Sequence, residues 1–246
     1  MIFFPGLHHP SDAKRFDRCF VSVNALRGRK SDFEVKDWIM DSGAFSLILK
    51  HGKYPDSIDA YVQQIKRWVK CGNMLAAVSQ DYMCEDDMLL RTGLTKADHQ
   101  RLTIERYDAI KAGVGGTVYV LPVLQGYEPE EYVCHMRQYG SRLAQGQWVG
   151  VGSVCKRNVD LDAIERVLMA IKQERPDLLL HGFGVKTTAL RSSIVRECLK
   201  TADSMAWSKA ARLRGRNPND WREAEEFVRN IEAQKVKQRH FQPLLF

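Results

Sequence analysis

The chain has 246 residues, 44% hydrophobic and 27% charged, an ordinary globular composition with enough apolar residues for a sizeable core. No apolar run is long enough to span a bilayer, and the opening Met1-Ile2-Phe3-Phe4-Pro5 lacks the basic flank of a secretory signal, so a cytoplasmic protein is expected. The formal charge of +7 leans towards a polyanionic partner, although many soluble enzymes carry as much.

Ile2-Phe3-Phe4 reads as a short first strand closed by Pro5-Gly6, and residues 8–16 as loop or short helix. β-Branched content and alternation make Cys19–Leu26 a second strand, followed by a basic turn at 27–30. Trp38-Ile39-Met40 is a third, continuous apolar strand that changes within one residue into Asp41-Ser42-Gly43. From Ser57 the apolar residues Ile58, Tyr61, Val62, Ile65, Trp68 and Val69 fall at helical steps, and Cys71-Gly72-Asn73 stops them. Met74–Val78 is a fourth strand running into Gln80-Asp81; a long connection follows, then a helix from about Thr95 to Ala112. Thr117–Leu124 is a fifth strand ending at Gln125-Gly126, with a helix over Pro129–Leu143. Trp148–Val154 is the sixth strand, Leu161–Glu174 a helix, and Leu178–Val185 the seventh strand. A short helix over Ser192–Lys200 leads to an eighth strand, Thr201–Trp207, a basic loop at 209–216 and a last helix from Asp220 to about Lys237.

Eight strands alternating with helices in this length predict an α/β protein, a single TIM-type (β/α)8 barrel domain over residues 1–246. Apolar strands without strict alternation fit a parallel sheet buried on both faces. A doubly wound open sheet is the alternative, but no GxGxxG follows an early strand. The six cysteines stand singly, with no CxxC and no Cys/His ladder, so no zinc motif and no cofactor are expected.

A barrel of this kind carries its active site at the C-terminal ends of its strands. Those ends read Asp41-Ser42-Gly43, Gln80-Asp81, Gln125-Gly126, Gly152-Ser153, His181-Gly182 and Asp203-Ser204. Carboxylates accept from ring N–H and amino groups and an amide does both, so the set suits the edge of a purine-like base. Glycines there let a flat ring approach the backbone. Each residue also has a plainer use. Asp41 or Ser42 would cap a following helix, Asp81 would cap the next segment, and His181 would be a hydrogen-bonded core histidine. Trp207 reads as packing rather than base stacking. Asp203, within Ala202-Asp203-Ser204-Met205-Ala206-Trp207, must end the strand, pair with a base or act on substrate. Lys209, Arg212, Arg214 and Arg216 form either a solvated basic loop or a phosphate contact, with Lys156-Arg157 a second candidate.

Taken in order, these motifs resemble those of the tRNA-guanine transglycosylase superfamily, (β/α)8 enzymes that exchange guanine for a 7-deazaguanine. Asp41-Ser42-Gly43-Ala44-Phe45 is similar to its DSGGF motif, Gln125-Gly126 to its QG pair, and His181-Gly182-Phe183-Gly184 to its MGVG strand. Val151-Gly152-Ser153-Val154 resembles the strand that contacts the base through backbone groups. Ala202–Trp207 resembles the FDSAAY segment of the archaeal branch. The resemblance implies that Asp203 is the nucleophile and Asp41 the general acid/base. It implies that Asp81 recognises the purine ring, with Ser42, Gln125, Gly152, Ser153, His181 and Gly182 around the base. The family's CxCxxC zinc cluster is missing, and no RNA-binding appendix follows the barrel. A compact chain of this kind resembles the DNA-modifying DpdA-type branch, which places a 7-deazaguanine such as preQ0 in DNA. The expected partners are therefore DNA, with tRNA as the alternative, a free 7-deazaguanine base, and an accessory protein if one is needed to open the duplex.

Overall fold

Parallel pairing links the strands β1 (Ile2–Leu7), β2 (Arg18–Ser22), β3 (Asp37–Asp41), β4 (Asn73–Val78), β5 (Val120–Leu121), β6 (Val123–Leu124), β7 (Trp148–Val151), β8 (Leu179–Gly182) and β9 (Leu199–Ser204). They belong to a computed structural model that describes residues 1–154, 157 and 160–234. The sheet order is β5-β4-β3-β2-β1-β9-β8-β7-β6. Only Pro122 separates β5 from β6, so the two ends of the sheet meet in a nearly closed barrel. Proline has no N–H to give to a ladder, and the strand expected over Thr117–Leu124 breaks there into two short pieces. The Pro122 carbonyl still accepts from the Gly150 N–H at 2.8 Å, which carries the sheet across the break. The eight expected strands thus appear as nine in the same ring.

The connecting helices are α1 (Val23–Leu26), α2 (Ala44–His51), α3 (Ile58–Trp68), α4 (Asp86–Thr92), α5 (Lys96–Val114), α6 (Pro129–Tyr139), α7 (Leu161–Glu174), α8 (Ser193–Cys198), α9 (Ala206–Leu213) and α10 (Trp221–Glu232). Helix α7 matches its predicted bounds, helped by Asp160, whose side chain accepts from the Ala163 N–H. Other elements differ from expectation for local reasons. The first strand runs on through Pro5 and Gly6, because β2 and β9 pair with it on either side. The second stops at Ser22, whose hydroxyl caps α1 and turns the chain out of the sheet. The eighth ends at Ser204, and Trp207 lies in α9, buried, with its indole N–H donating to the Gly6 carbonyl at 2.8 Å. The basic loop expected at 209–216 is helical as far as Leu213. Asp220 caps α10, and the part of its expected span beyond Gln234 lies outside the described residues. Among the described residues no helix is long and apolar enough to cross a membrane.

Two apolar layers sort the strand residues by their period of two. Phe3, Val21, Trp38, Met40, Ala77, Val149, Val151, Leu180 and Ala202 face the helices in the larger cluster. Phe4, Phe20, Ile39, Ala76, Val78, Leu121 and Val123 fill the barrel interior. Alternation from Met40 and Ala202 therefore turns Asp41 and Asp203 inward.

Trp38 shows how the outer layer is held. It is fully buried, donates its indole N–H to the Cys71 carbonyl at 2.7 Å, and meets Phe33 edge-on at 5.3 Å. Trp38→Ala should cost about 3–5 kcal/mol through the lost packing and the cavity left behind. Urea unfolding checks this as a lower midpoint at an unchanged slope.

Candidate active site

The C-terminal ends of the strands surround a cavity of about 220 Å3. Asp41, Asp81, Gln125, Gly152, Ser153 and Asp203 line it, with Ser22, Glu85 and the apolar side chains of Phe20, Phe45, Val78, Met83, Phe183 and Met205. Ser42, His181 and Gly182 do not line it. Ser42 and Gly182 each neighbour an inward-pointing residue, so alternation turns them away from the axis. His181 points inward but sits one layer below Asp203, fully buried. Lys209 and Arg212 lie on α9, and Arg214 and Arg216 follow it; all four are exposed. Arg216 is paired with Glu223 and Glu226, which lowers its value as a phosphate ligand. Of the second basic candidate, Lys156 lies outside the described residues, and Arg157 is buried with its guanidinium 4.0 Å above the Tyr127 ring.

Asp41 is the last residue of β3 and is not a helix cap. Gly43 holds the N-cap of α2 without a side-chain bond, at φ +71°, and a Cβ there would fall 2.3 Å from Asn24 Nδ2. The Gly43 N–H instead donates back to Asp41 Oδ2 at 3.1 Å. Burial, and after it the charge of Asp203, push the Asp41 carboxyl up to about 6. Hydrogen bonds from Ser22 and from the backbone of Gly43 and Ser42 hold it from rising further.

Asp81 is fixed by an amide. Gln125 Nε2 donates to Asp81 Oδ2, and Gln125 Oε1 accepts from Ser153 Oγ at 2.8 Å. Ser153 Oγ in turn accepts from the Cys84 N–H at 3.2 Å. Ser153 has φ +56°, a left-handed conformation costly for a residue with a Cβ, and the network that uses its hydroxyl holds it there. From the other side the Gln125 N–H donates to His135 Nδ1 at 2.8 Å, and His135 Nε2 bonds to the Gln100 carbonyl. Burial pushes His135 down to about 4, so it stays neutral. Burial is also the largest cause pushing Asp81 up to about 7; the Gln125 bond opposes it and the charge of Asp41 adds to it. Gln80 turns elsewhere, its Oε1 accepting from Arg106.

Asp203 ends the inward row of β9. Its Oδ1 accepts from the Gly184 N–H at 3.1 Å and faces His181 Nε2 at 3.3 Å. Asp41 and Asp203 thus share one cavity three strands apart around the ring, close enough to act on each other's charge.

A family model described as DpdA, DeoxyPurine in DNA protein A, matches residues 2–223. The chain belongs to the DpdA family. That places it in the DNA 7-deazaguanine branch of the guanine transglycosylases. No curated protein matches it. In this DpdA-family barrel, the glycines beside the cavity serve packing more than ring approach. A Cβ on Gly152 would lie 2.1 Å from Gln125 Nε2, and one on Gly182 would lie 2.7 Å from Val185 Cγ2. Several lining residues escaped sequence reasoning. Ser22 was hidden inside an overlong strand, and Met83 and Glu85 inside an unstructured connection. Phe20 and Met205 looked like ordinary strand apolars; the inward register of Phe20 on β2 and the place of Met205 just past β9 mark them.

Both raised carboxyls make the native DpdA-family protein hold protons that the unfolded chain releases above about pH 4. That stabilisation is full below the unfolded value and is lost as pH rises through about 6 at Asp41 and about 7 at Asp81. Asp81→Asn should therefore narrow the difference in urea midpoint between about pH 5 and about pH 8. An undiminished difference would return Asp81 to an ordinary carboxyl.

Proposed function

We propose that this chain replaces guanine in DNA by a 7-deazaguanine through a covalent glycosyl ester on Asp203. The observation that carries the reading is the pairing of Asp41 and Asp203 across one base-sized cavity. In the proposed first step an Asp203 oxygen attacks C1′ of the deoxyribose and the C1′–N9 bond breaks. The electron pair of that bond leaves on the guanine, and the neutral Asp41 carboxyl supplies the proton. A free deazapurine, preQ0-like, then replaces guanine. Asp41, now a carboxylate, removes its ring proton, and the ring nitrogen displaces Asp203 from C1′. A carboxyl poised at about 6 suits both the acid and the base role near neutral pH. Two carboxyls acting in turn at one anomeric carbon follow the logic of retaining glycosidases.

Recognition would fall to the Asp81–Gln125–Ser153 network. Guanine's N1–H and exocyclic amino group would donate to Asp81, whose charge burial makes costly and such donors would compensate. A paired base must first leave the stack. Lys209, Arg212 and Arg214, on and just after the helix that follows Asp203, would meet the flanking phosphates.

Labelled guanine or preQ0 incubated with DNA or with tRNA tests the activity and its acceptor together. Label should enter DNA. Label in tRNA alone would reassign the acceptor, and binding without exchange would make the chain a non-catalytic subunit. Asp203→Asn should lose both exchange and any covalent adduct with DNA, whereas Asp41→Asn should bind DNA and fail to turn over. Full turnover by either variant would remove that residue from its role. Replacing Lys209, Arg212 and Arg214 together by Ala should weaken DNA binding and flatten the salt dependence by roughly 0.9 per lost phosphate contact. Titration at several salt concentrations reads that slope.

A further inference from the structure

His181 is a polar side chain sealed in the barrel interior, below the cavity rather than in it. Its ring stacks on Phe20 at 5.7 Å and meets Phe183 edge-on at 4.7 Å, so its orientation is fixed. Its two nitrogens lie in a line of hydrogen bonds that climbs the barrel axis. At the bottom, Trp148 Nε1 lies 2.8 Å from Thr201 Oγ1. An indole N–H only donates, so Thr201 accepts there. His181 Nδ1 lies 2.8 Å from the same hydroxyl, and His181 Nε2 lies 3.3 Å from Asp203 Oδ1.

Only one neutral arrangement makes every contact a donor meeting an acceptor. Thr201 gives its single proton to a bare Nδ1, and the Nε2–H donates to Asp203. With the other tautomer a bare Nε2 would face a carboxylate oxygen inside the barrel, where unpaired acceptors are expensive. The Gly184 N–H donates to the same Oδ1 at 3.1 Å. Among the described residues, the hydrogen bonds to this carboxyl thus end on Oδ1, and Asp203 still lines the cavity.

We infer that His181 is a positioning residue for the nucleophile: with Thr201 and Trp148 behind it, it anchors Asp203 by Oδ1 and presents Oδ2 to the sugar. This rests on the proposed role of Asp203 and adds a division of labour between its two oxygens. It also moves His181 from base recognition to the other side of the reaction. An oxygen held by two donors is the poorer nucleophile, and a carboxyl pinned at one end keeps the other at a fixed angle to C1′.

Nitrogen-15 NMR of histidine-labelled protein, without nucleic acid, reads the tautomer directly. His181 should show a protonated Nε2 and a bare Nδ1, and Thr201→Val should disturb that pattern while preserving the side chain's shape. Kinetics reads the consequence. A guanine-containing DNA strand offered without incoming base should form the covalent adduct about tenfold more slowly with Thr201→Val or His181→Met, with KM little changed. His181→Gln, which keeps a side-chain N–H, should recover part of the rate. A bare Nε2 or a doubly protonated ring in the spectrum, or adduct formation at the unmodified rate in both the Thr201→Val and His181→Met variants, would overturn the inference. Asp203→Asn separates the two claims. An adduct in that variant removes the nucleophile itself, whereas its loss together with undisturbed His181 and Thr201 variants removes only the positioning role.

Discussion

Several carboxyl groups share one small space, and the site depends on how their charge is tolerated. Asp41, Asp81, Glu85 and Asp203 line the same cavity, and among the described residues that line it there is no lysine or arginine. The barrel answers with placed hydrogen bonds. Asp203 has His181 and the Gly184 N–H, Asp81 has Gln125, and Asp41 has the Gly43 N–H. What these cannot offset appears as raised carboxyl values at Asp41 and Asp81. Such a cavity disfavours an anion and favours a neutral ring rich in N–H groups. The cationic side chains lie outside it, on α9 and just beyond, where a polyanion's backbone would run.

The same hydrogen bonds tie the site to the fold. Gln125 is held by four residues, His135 and Gln100 at its backbone and Asp81 and Ser153 at its amide. The room for that amide comes from the missing side chain of Gly152. The strained Ser153 is thereby explained by the bond it completes. Rigid elements supply the geometry: Asp41 and Asp203 lie on strands, Gln125 follows β6 directly, and Ser153 and Asp81 come within three residues of β7 and β4.

Much of the barrel was legible because strands and helices announce themselves by different periods. The apolar runs ending at Met40, Val78 and Leu124, with the strand read over Trp148–Val154, located the rim, and with it Asp41, Asp81, Gln125 and Ser153. Strand ends were less visible, because nothing local in Cys19–Leu26 says that the Ser22 hydroxyl will cap a helix. Helices α2, α4 and α9 were given no bounds for a related reason. The first two carry weak start signals, Gly43 and Glu85, neither of which makes a side-chain cap bond. The third begins inside an apolar run that reads as strand. The positioning role proposed for His181 lay beyond sequence altogether. Its meaning comes from Thr201 and Trp148, one behind another along the axis, and no spacing in the chain records that line.

The seam between β1 and β9 bears on how the protein becomes competent during synthesis. Phe4 pairs with Asp203 and Pro5 with Ser204, so residues near the start of the chain flank the strand that bears the proposed nucleophile. The ribosome delivers that strand last among the nine, and it must insert between β1 and β8, both already present. Until it does, Asp41 has no opposing carboxyl and the cavity has an open side. Contacts this distant in sequence form late and cooperatively. On the proposed route a nascent or partly unfolded chain therefore could not cut a glycosidic bond, because its two carboxyls share a cavity only when the ring is whole.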